Sequence, residues 1–233
     1  MIKRLSQTLA AIFLLASSPA WATFALVQHP NNGACGTGST CTITLTQAIG
    51  TGNLLYVQTT QSGSTARTIS SINNGGSWVF PASCQQASSN GSVACGYVLS
   101  STGGSTTALI TLSGTVSGGW EAFFVEVSSS TRSVALEPAA AGEATSTCAN
   151  CASPNLTLSA LNHALFAGMW LNGTITACTG WSCDIQNGDA VAWKLNTTSG
   201  TGVTWTNASA ETDRSTIGFS EANRAPYSPV FLQ

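Results

Sequence analysis

The sequence predicts an all-β protein, a two-sheet antiparallel β-sandwich that is jelly-roll-like and stapled by local disulfides. Three observations lead to this fold class. Helical periodicity is absent after the first 22 residues, short segments repeatedly alternate apolar and polar side chains, and Gly, Ser and Asn clusters separate these segments. About a dozen short strands with turn signals between them are typical of a sandwich. The composition does not shift along the chain, which favours a single domain.

The strands are predicted from this alternation in chain order. It is clearest in residues 41–46, where Ile43 and Leu45 share one face and three threonines share the other. Residues 129–153 are less regular and predict a long crossover loop with one short strand at 134–137. The other predicted strands are 24–28, 53–60, 67–72, 92–99, 106–112, 119–127, 155–161, 163–171, 203–205 and 215–219.

Two segments carry stronger signals. Residues 119–127 form the densest apolar run after the N-terminal region, bounded by glycines and serines, and therefore predict a buried central strand. Residues 184–195 predict a hairpin, because Asn187-Gly188 between two strand patterns favours a type I′ turn.

The N-terminal segment has the pattern of a secretory signal peptide. Lys3 and Arg4 precede a short apolar core, and Ala20-Trp21-Ala22 has the form of a cleavage site. An uncleaved anchor is the alternative, but it would need about 20 apolar residues. We therefore predict a signal peptide at 1–22, one sandwich domain at 23–222 and a C-terminal tail at 223–233. The predicted location is extracellular or in the cell envelope, with no membrane span.

The charge is unusually low. Charged residues are 7% of the chain, with 7 Lys+Arg and 9 Asp+Glu, against about 25% in ordinary soluble domains. Removal of Lys3 and Arg4 leaves 5 against 9, a net charge of −4. Such a chain has no basic patch, which excludes nucleic acid as an expected partner. A hydroxyl-rich surface with little repulsion fits a protein that associates with itself in an envelope or matrix.

The chain has eight cysteines, and an even number in an exported protein indicates disulfides. Proximity predicts four local bridges that fix loop tips: Cys35–Cys41, Cys84–Cys95, Cys148–Cys151 and Cys178–Cys183. Two alternatives remain, a redox pair at Cys148 and Cys151, or a zinc site formed by the last four cysteines. An oxidising compartment favours the disulfides.

Seven segments form an ordered series of short motifs: 24–28, 50–57, 70–78, 96–100, 107–113, 125–128 and 162–168. These motifs include a "GNLLvV" strand, a turn near an aromatic residue and a "v.E.s" strand. The chain resembles uncharacterised secreted bacterial β-sandwich domains, and the resemblance implies a sandwich fold and export but no activity and no catalytic residues. The chain departs from that group in its cysteines and at Ser128-Ser129, where a glycine usually follows the glutamate.

Glu121 and Glu126 are unexpected in a central strand. They are five residues apart, so period-two geometry places them on opposite faces. They cannot form a glycosidase pair with each other, although a partner carboxylate could come from another strand. The alternative is structural: Glu126 accepts hydrogen bonds at a strand end, and Glu121 occupies a surface position beside Gly119.

Trp181 is the predicted ligand-binding residue. It lies between Cys178 and Cys183, in a loop too small to bury an indole by itself. A rigid loop that presents an indole could stack on a sugar ring. The alternative is that Trp181 folds back over the sandwich edge. Trp170, Trp193 and Trp205 share faces with apolar neighbours and are predicted to be in the core.

Metal and nucleophile signals are weaker. Asp184, Asn187 and Asp189 could bind calcium at the hairpin tip, but turn formation already accounts for them. His29 and His163 are the only histidines. A hydrolytic triad would need one of them beside a Ser and an Asp, and no Gly-x-Ser-x-Gly motif is present. No cofactor is predicted.

Three functions follow, in order of expectation. The first is a non-enzymatic envelope or matrix component that assembles or adheres. The second is a carbohydrate-binding module that presents Trp181. The third is a glycan-active enzyme that uses Glu121 or Glu126 with a carboxylate from another strand. The expected partners are glycans or further copies of the chain.

Overall fold

The computed structural model describes residues 23–30, 34–131, 133–137, 140–159 and 162–221, so the predicted signal peptide and tail lie outside the described residues. The described residues form antiparallel strands and a single 3₁₀ turn, Ala82–Cys84. The strands are β1 (Phe24–Gln28), β2 (Ala34–Thr44), β3 (Leu54–Ser62), β4 (Ile69–Ile72), β5 (Gln86–Ala87), β6 (Gly91–Val98), β7 (Thr107–Ser129), β8 (Val134–Leu136), β9 (Ala141–Cys148), β10 (His163–Leu171), β11 (Ile175–Thr179), β12 (Ser182–Gln186), β13 (Asp189–Thr197), β14 (Thr204–Asn207) and β15 (Ala210–Glu221).

Two sheets pack face to face, which confirms the predicted all-β sandwich. The first sheet has the order β1-β7-β3-β6-β5, and β2 and β4 also pair with β7. The second has the order β12-β13-β10-β15-β8, and β9 also pairs with β15. A separate ribbon of β11 and β14 covers part of the second sheet.

The central strand is longer than predicted. The expected strands at 106–112 and 119–127 are one continuous strand, β7, of 23 residues. The two glycines between them form an irregularity rather than a turn. Gly119 has a φ of +93°, and the register of β2 against β7 shifts nearby. A Cβ at Gly118 would lie 2.4 Å from the carbonyl oxygen of Ser62, so this close approach requires glycine.

Apolar packing occurs on both faces of each sheet. The inter-sheet core joins Tyr56 and Phe123 of the first sheet to Phe166 and Phe219 of the second. A second core lies beneath β2 and β4, and a third lies beneath the β11–β14 ribbon. Strands covered on both faces lose the polar half of the alternation. This is why β10 is buried at all nine positions. Trp170, Trp193 and Trp205 are at most 5% exposed, which confirms their predicted burial.

Two irregular segments differ from the predictions. The expected crossover loop at 129–153 contains β9 as well as β8, and β9 pairs with β15. β9 is rich in alanine, glycine and threonine, so its sequence lacks the alternation of large apolar and polar residues by which the other strands are predicted. The predicted strand at 155–161 is wrong over the described residues 155–159, which have no strand pairing. Leu156 makes one backbone bond there, from its N–H to the carbonyl of Gly200, at 2.8 Å.

All four predicted disulfides are present. Their Cα–Cα distances are 5.3 Å for Cys35–Cys41, 5.5 Å for Cys84–Cys95, 5.6 Å for Cys148–Cys151 and 6.4 Å for Cys178–Cys183. These bridges use the thiols that a zinc site would need, and Cys148 and Cys151 are in the disulfide form. One prediction about them is wrong. Cys84–Cys95 is not at a loop tip, because both residues are fully buried in the inter-sheet core.

Candidate functional site

A groove opens at one edge of the sandwich, where β1 of the first sheet faces β13 of the second. The two strands are joined there by Asn196. Its side chain accepts a hydrogen bond from the Phe24 N–H (2.7 Å) and donates one to the Phe24 carbonyl (2.8 Å). β12 begins opposite Trp193, so the edge of β13 beyond that residue has no partner from β12. The groove has a volume of about 470 Å³ and is lined by Leu26, Gly180, Trp181, Ser182, Trp193, Lys194 and Leu195.

Trp181 lies in the turn between β11 and β12, which the Cys178–Cys183 disulfide closes. Gly180 has a φ of +78°, as a tight turn requires. The indole is half-buried. It packs against the third core and also lines the groove. Trp181 therefore packs on the sandwich edge, as one alternative predicted, and also faces the groove; its role as a ligand-binding residue stays a prediction.

Beside the groove, His29 and Asp184 form a hydrogen-bonded pair. The His29 Nδ1 and Asp184 Oδ2 atoms are 2.9 Å apart, and the imidazole also packs against Trp193, with ring centroids 4.7 Å apart. The side chains are 40% and 17% exposed, respectively. Sequence reasoning missed this pair because 155 residues separate its members, and no local pattern reports such a contact.

The second histidine lies in the interior. His163 Nε2 contacts Glu137 Oε1 at 2.7 Å and Ser159 Oγ at 3.3 Å, and its Nδ1 contacts the Thr197 carbonyl at 3.2 Å. Burial acts to raise the pKa of Glu137, but hydrogen bonds from His163 and Ser159 outweigh it and hold that pKa below its usual value. The acid and the hydroxyl share one ring nitrogen, and the imidazole is inaccessible. The cluster therefore lacks the geometry of a catalytic triad.

Glu126 is fully buried and well supplied with donors. Its carboxylate accepts hydrogen bonds from the Gly50 N–H (2.8 Å), the Asn53 amide (2.6 Å) and the Gln28 amide. These contacts correspond to the structural alternative, in which Glu126 accepts hydrogen bonds.

Glu121 meets a second carboxyl group from another strand. Its carboxylate accepts hydrogen bonds from Asn187 (3.2 Å) and Thr60 (3.3 Å), and it lies in hydrogen-bond contact with Asp189. The residue is 9% exposed and lies within β7, not at its end. A glycosidase needs about 5–9.5 Å between its carboxyl groups. Direct contact with Asp189 leaves no space for a water molecule or a sugar carbon between the two groups.

Burial raises the pKa of Asp189 well above its usual value, and the hydrogen bond and the charge of Glu121 raise it further. Asp189 thus holds a proton that it would lose in the unfolded chain, so stability falls as pH rises from the unfolded pKa towards the folded one. We expect Asp189→Asn to stabilise the protein at pH 7 by on the order of 1 kcal/mol. The asparagine amide can donate to Glu121, and its oxygen can accept from the Leu171 N–H, which now bonds Asp189.

Urea denaturation at pH 4 and pH 7 measures this effect. The gain should shrink at pH 4, where the proton is already present. The conservative control is Glu121→Gln, which relieves the same repulsion from the other side. Loss of stability at pH 7 in both variants would contradict the prediction.

The three candidate calcium ligands make other contacts. Asp184 bonds His29, while Asn187 and Asp189 meet Glu121. Asn187 and Gly188 have φ values of +48° and +96°, which agree with the predicted type I′ turn. Across the described ranges, no group of three or more His, Cys, Asp or Glu side chains could hold a metal ion.

No helix within the described residues is both long and apolar enough to cross a bilayer. Comparison with protein-family models, with curated proteins and with solved structures finds no match to this chain.

Proposed function

We propose that this protein is an exported carbohydrate-binding β-sandwich and that the groove beside Trp181 is its binding site. The observation that carries the proposal is the position of this indole, which a disulfide-closed turn holds at the wall of a groove of about 470 Å³. A pocket of this size suits a small ligand. Four disulfides are compatible with an extracellular or envelope location.

The lining of the groove suits a sugar. Pyranose rings present C–H groups on their faces and hydroxyls at their rims. An indole face supplies apolar contact for the former. Ser182 and Lys194 supply polar groups for the latter, and Leu26 closes the opposite side. Trp181 loses little conformational freedom on binding, because the turn already orders it.

A glycan array followed by titration calorimetry tests the proposal. We expect Trp181→Ala to weaken binding about 10-fold or more, which corresponds to about 1.4 kcal/mol, since the substitution removes the large apolar face of the indole. Trp181→Phe should retain part of the affinity because it keeps an aromatic face. Val79→Ala is the control, as Val79 is 47% exposed and does not line the groove. The absence of any bound glycan, or equal affinity in Trp181→Ala, would contradict the proposal.

A second candidate function is self-association, and one surface favours it. Thr40, Thr42 and Thr44 project from β2 into solvent, and the register places Thr111 and Thr107 beside the first and last of them on β7. Neither β2 nor the adjoining part of β7 (residues 107–118) carries a charged residue. β2 pairs with β7 alone among the described strands. An uncharged strand edge of this kind can pair with another copy of itself.

We expect association to be concentration-dependent and to be abolished by Thr42→Lys, because a charge on an edge strand opposes pairing. Light scattering coupled to size-exclusion chromatography measures the mass at each concentration. The control is Thr206→Lys, an exposed threonine on β14. A monomer at every concentration, or equal association in Thr42→Lys, would rule out this surface.

A further inference from the structure

A serine, a histidine and an aspartate, the side chains that many hydrolases use, lie close to one another near Trp193. Ser182 is the cross-strand partner of Trp193 and lines the groove. Asp184 follows two residues later on the same strand, so both side chains project from the same face of β12. Their Cα atoms are therefore roughly 6.5–7 Å apart. His29 packs on Trp193 and bonds Asp184.

The hydrogen bond between His29 and Asp184 has the polarity that general-base catalysis requires. The acid contacts Nδ1, at 2.9 Å, and this fixes the tautomer that leaves Nε2 as the proton acceptor. The imidazole is 40% exposed, so part of the ring is accessible from solvent. His163 is the contrast within the same chain, because both Glu137 and Ser159 contact its Nε2 and the ring is buried.

Ser182 completes the set. Its side chain is exposed, and no hydrogen bond occupies its hydroxyl within the described residues. Ser182 and His29 both adjoin Trp193, and the reaction requires the hydroxyl and the imidazole to come into contact. In unliganded enzymes such contacts are often long and shorten when substrate binds.

We propose that Ser182, His29 and Asp184 form an ester-hydrolysing site at the groove, and that its substrates are acyl esters of hydroxylated compounds such as O-acylated sugars. Ser182 and His29 are the catalytic residues, and Asp184 is a positioning residue. The choice of a sugar as the alcohol rests on the proposed carbohydrate site. The hydrolytic step rests on the three side chains alone.

The chemistry is complete with water as the only co-reactant. His29 Nε2 takes the proton of the Ser182 hydroxyl while Oγ attacks the ester carbonyl. The C–O bond to the alcohol then breaks, and the imidazolium returns the proton to the leaving alcohol. A water molecule, deprotonated by His29, next attacks the acyl-serine carbonyl. The bond between that carbon and Oγ then breaks, the imidazolium returns its proton to Oγ, and the carboxylic acid leaves. Lys194 lines the same groove and brings positive charge towards the developing oxyanion.

The test uses p-nitrophenyl acetate, which contains no sugar, with the purified full-length protein. We expect saturable hydrolysis that falls about 100-fold or more in Ser182→Ala and in His29→Gln. In Asp184→Asn, kcat should fall at least about 10-fold with KM unchanged, because the imidazole loses its orienting partner. The control is Ser117→Ala, an exposed serine on β7 that does not line the groove. Thermal melts confirm that each variant is folded.

A fluorophosphonate probe provides a second measurement. Mass spectrometry should find the adduct on Ser182, and labelling should disappear in His29→Gln. A wild-type rate equal to that of buffer, unchanged hydrolysis in Ser182→Ala, or an adduct confined to other serines would overturn the proposal. Because neither probe is a sugar, failure here with intact glycan binding removes only the hydrolytic site. Hydrolysis without glycan binding removes only the carbohydrate site.

Discussion

Replacement of Glu126 by alanine should destabilise the protein by about 3–5 kcal/mol, the largest effect that we expect from any single substitution outside the apolar core. The side chain is fully buried, and its carboxylate accepts hydrogen bonds from three donors. Alanine would leave the Gly50 N–H and the Asn53 and Gln28 amides without their acceptor. Each orphaned donor retains its cost of desolvation.

The effect should extend beyond the immediate contacts. The Gln28 amide oxygen also accepts hydrogen bonds from the backbone N–H groups of Thr46 and Gln47. Glu126 thus connects β1, β7 and the segment between β2 and β3. Loss of its carboxylate releases several backbone groups at once, which is why we expect the cost to exceed that of one hydrogen bond.

Urea denaturation at pH 7 measures the loss. The control is Glu143→Gln, because Glu143 is 53% exposed and forms a salt bridge with Arg214 at 3.0 Å. We expect less than about 1 kcal/mol there. Glu126→Gln should lie between the two, since its amide keeps one acceptor but presents a donor to Gln28. A loss below about 1 kcal/mol in Glu126→Ala would contradict the structural role of this carboxylate.

Replacement of Asp213 by asparagine should have the opposite sign and stabilise the protein at neutral pH. Asp213 is fully buried between the sheets. Burial raises its pKa to about 6, and the charge of Glu211 adds to the increase, while hydrogen bonds from Ser88 and the charge of Arg214 oppose it. The Ser88 hydroxyl donates to Oδ2 at 2.7 Å, and Oδ1 has no hydrogen-bond partner among the described residues.

The raised pKa determines the pH window. Below pH 3.8 Asp213 is protonated in both the folded and the unfolded chain, so it adds no pH dependence. Between pH 3.8 and about 6 the unfolded chain loses this proton first, and stability falls as pH rises. The full linkage is roughly 3 kcal/mol. Because charges at buried sites in proteins respond as if the dielectric constant were well above that of a dry interior, we expect about 1–2 kcal/mol.

Thermal melts at pH 3.5 and pH 7 test this prediction. Asp213→Asn removes the ionisation and keeps an oxygen that can accept from Ser88, so its melting temperature at pH 7 should rise by about 2–8 °C. The gain should vanish at pH 3.5. Asp213→Ala is the comparison, because it removes the charge and also the hydrogen bond from Ser88. A gain of equal size at both pH values, or a lower melting temperature at pH 7, would show that ionisation of Asp213 is not the cause.

The predicted parts of the fold are those whose signals are local. The four disulfides join cysteines 3 to 11 residues apart, so proximity alone identified the pairs. The Asn187-Gly188 turn carries its conformation in two residues. The errors arose where one signal has two structural outcomes. Gly118-Gly119 was predicted to separate two strands and instead lies within β7, because a glycine pair serves a bulge as well as a turn.

The candidate site could be predicted only in part, for the same reason. Trp181 was identified because the residues around it show a small closed loop. The groove beside it could not be predicted, since it needs β1 and β13 from different sheets. His29 and Asp184 are 155 residues apart, and Asn187 and Glu121 are 66 apart. The chain has few charged residues, and strand alternation assigns each of their side chains to one face of a sheet. It does not identify the residue that this side chain will contact on the other sheet.

The sequence by itself therefore determined the fold class, the disulfides, the hairpin and the opposite faces of Glu121 and Glu126. The tertiary structure alone decided that Glu126 anchors three donors, that Glu121 contacts Asp189, and that His29 meets Asp184 beside the groove. The physical reason is the range of the interactions. Strand alternation, turns and short disulfide loops depend on neighbours in the chain, whereas these contacts arise only when two sheets pack.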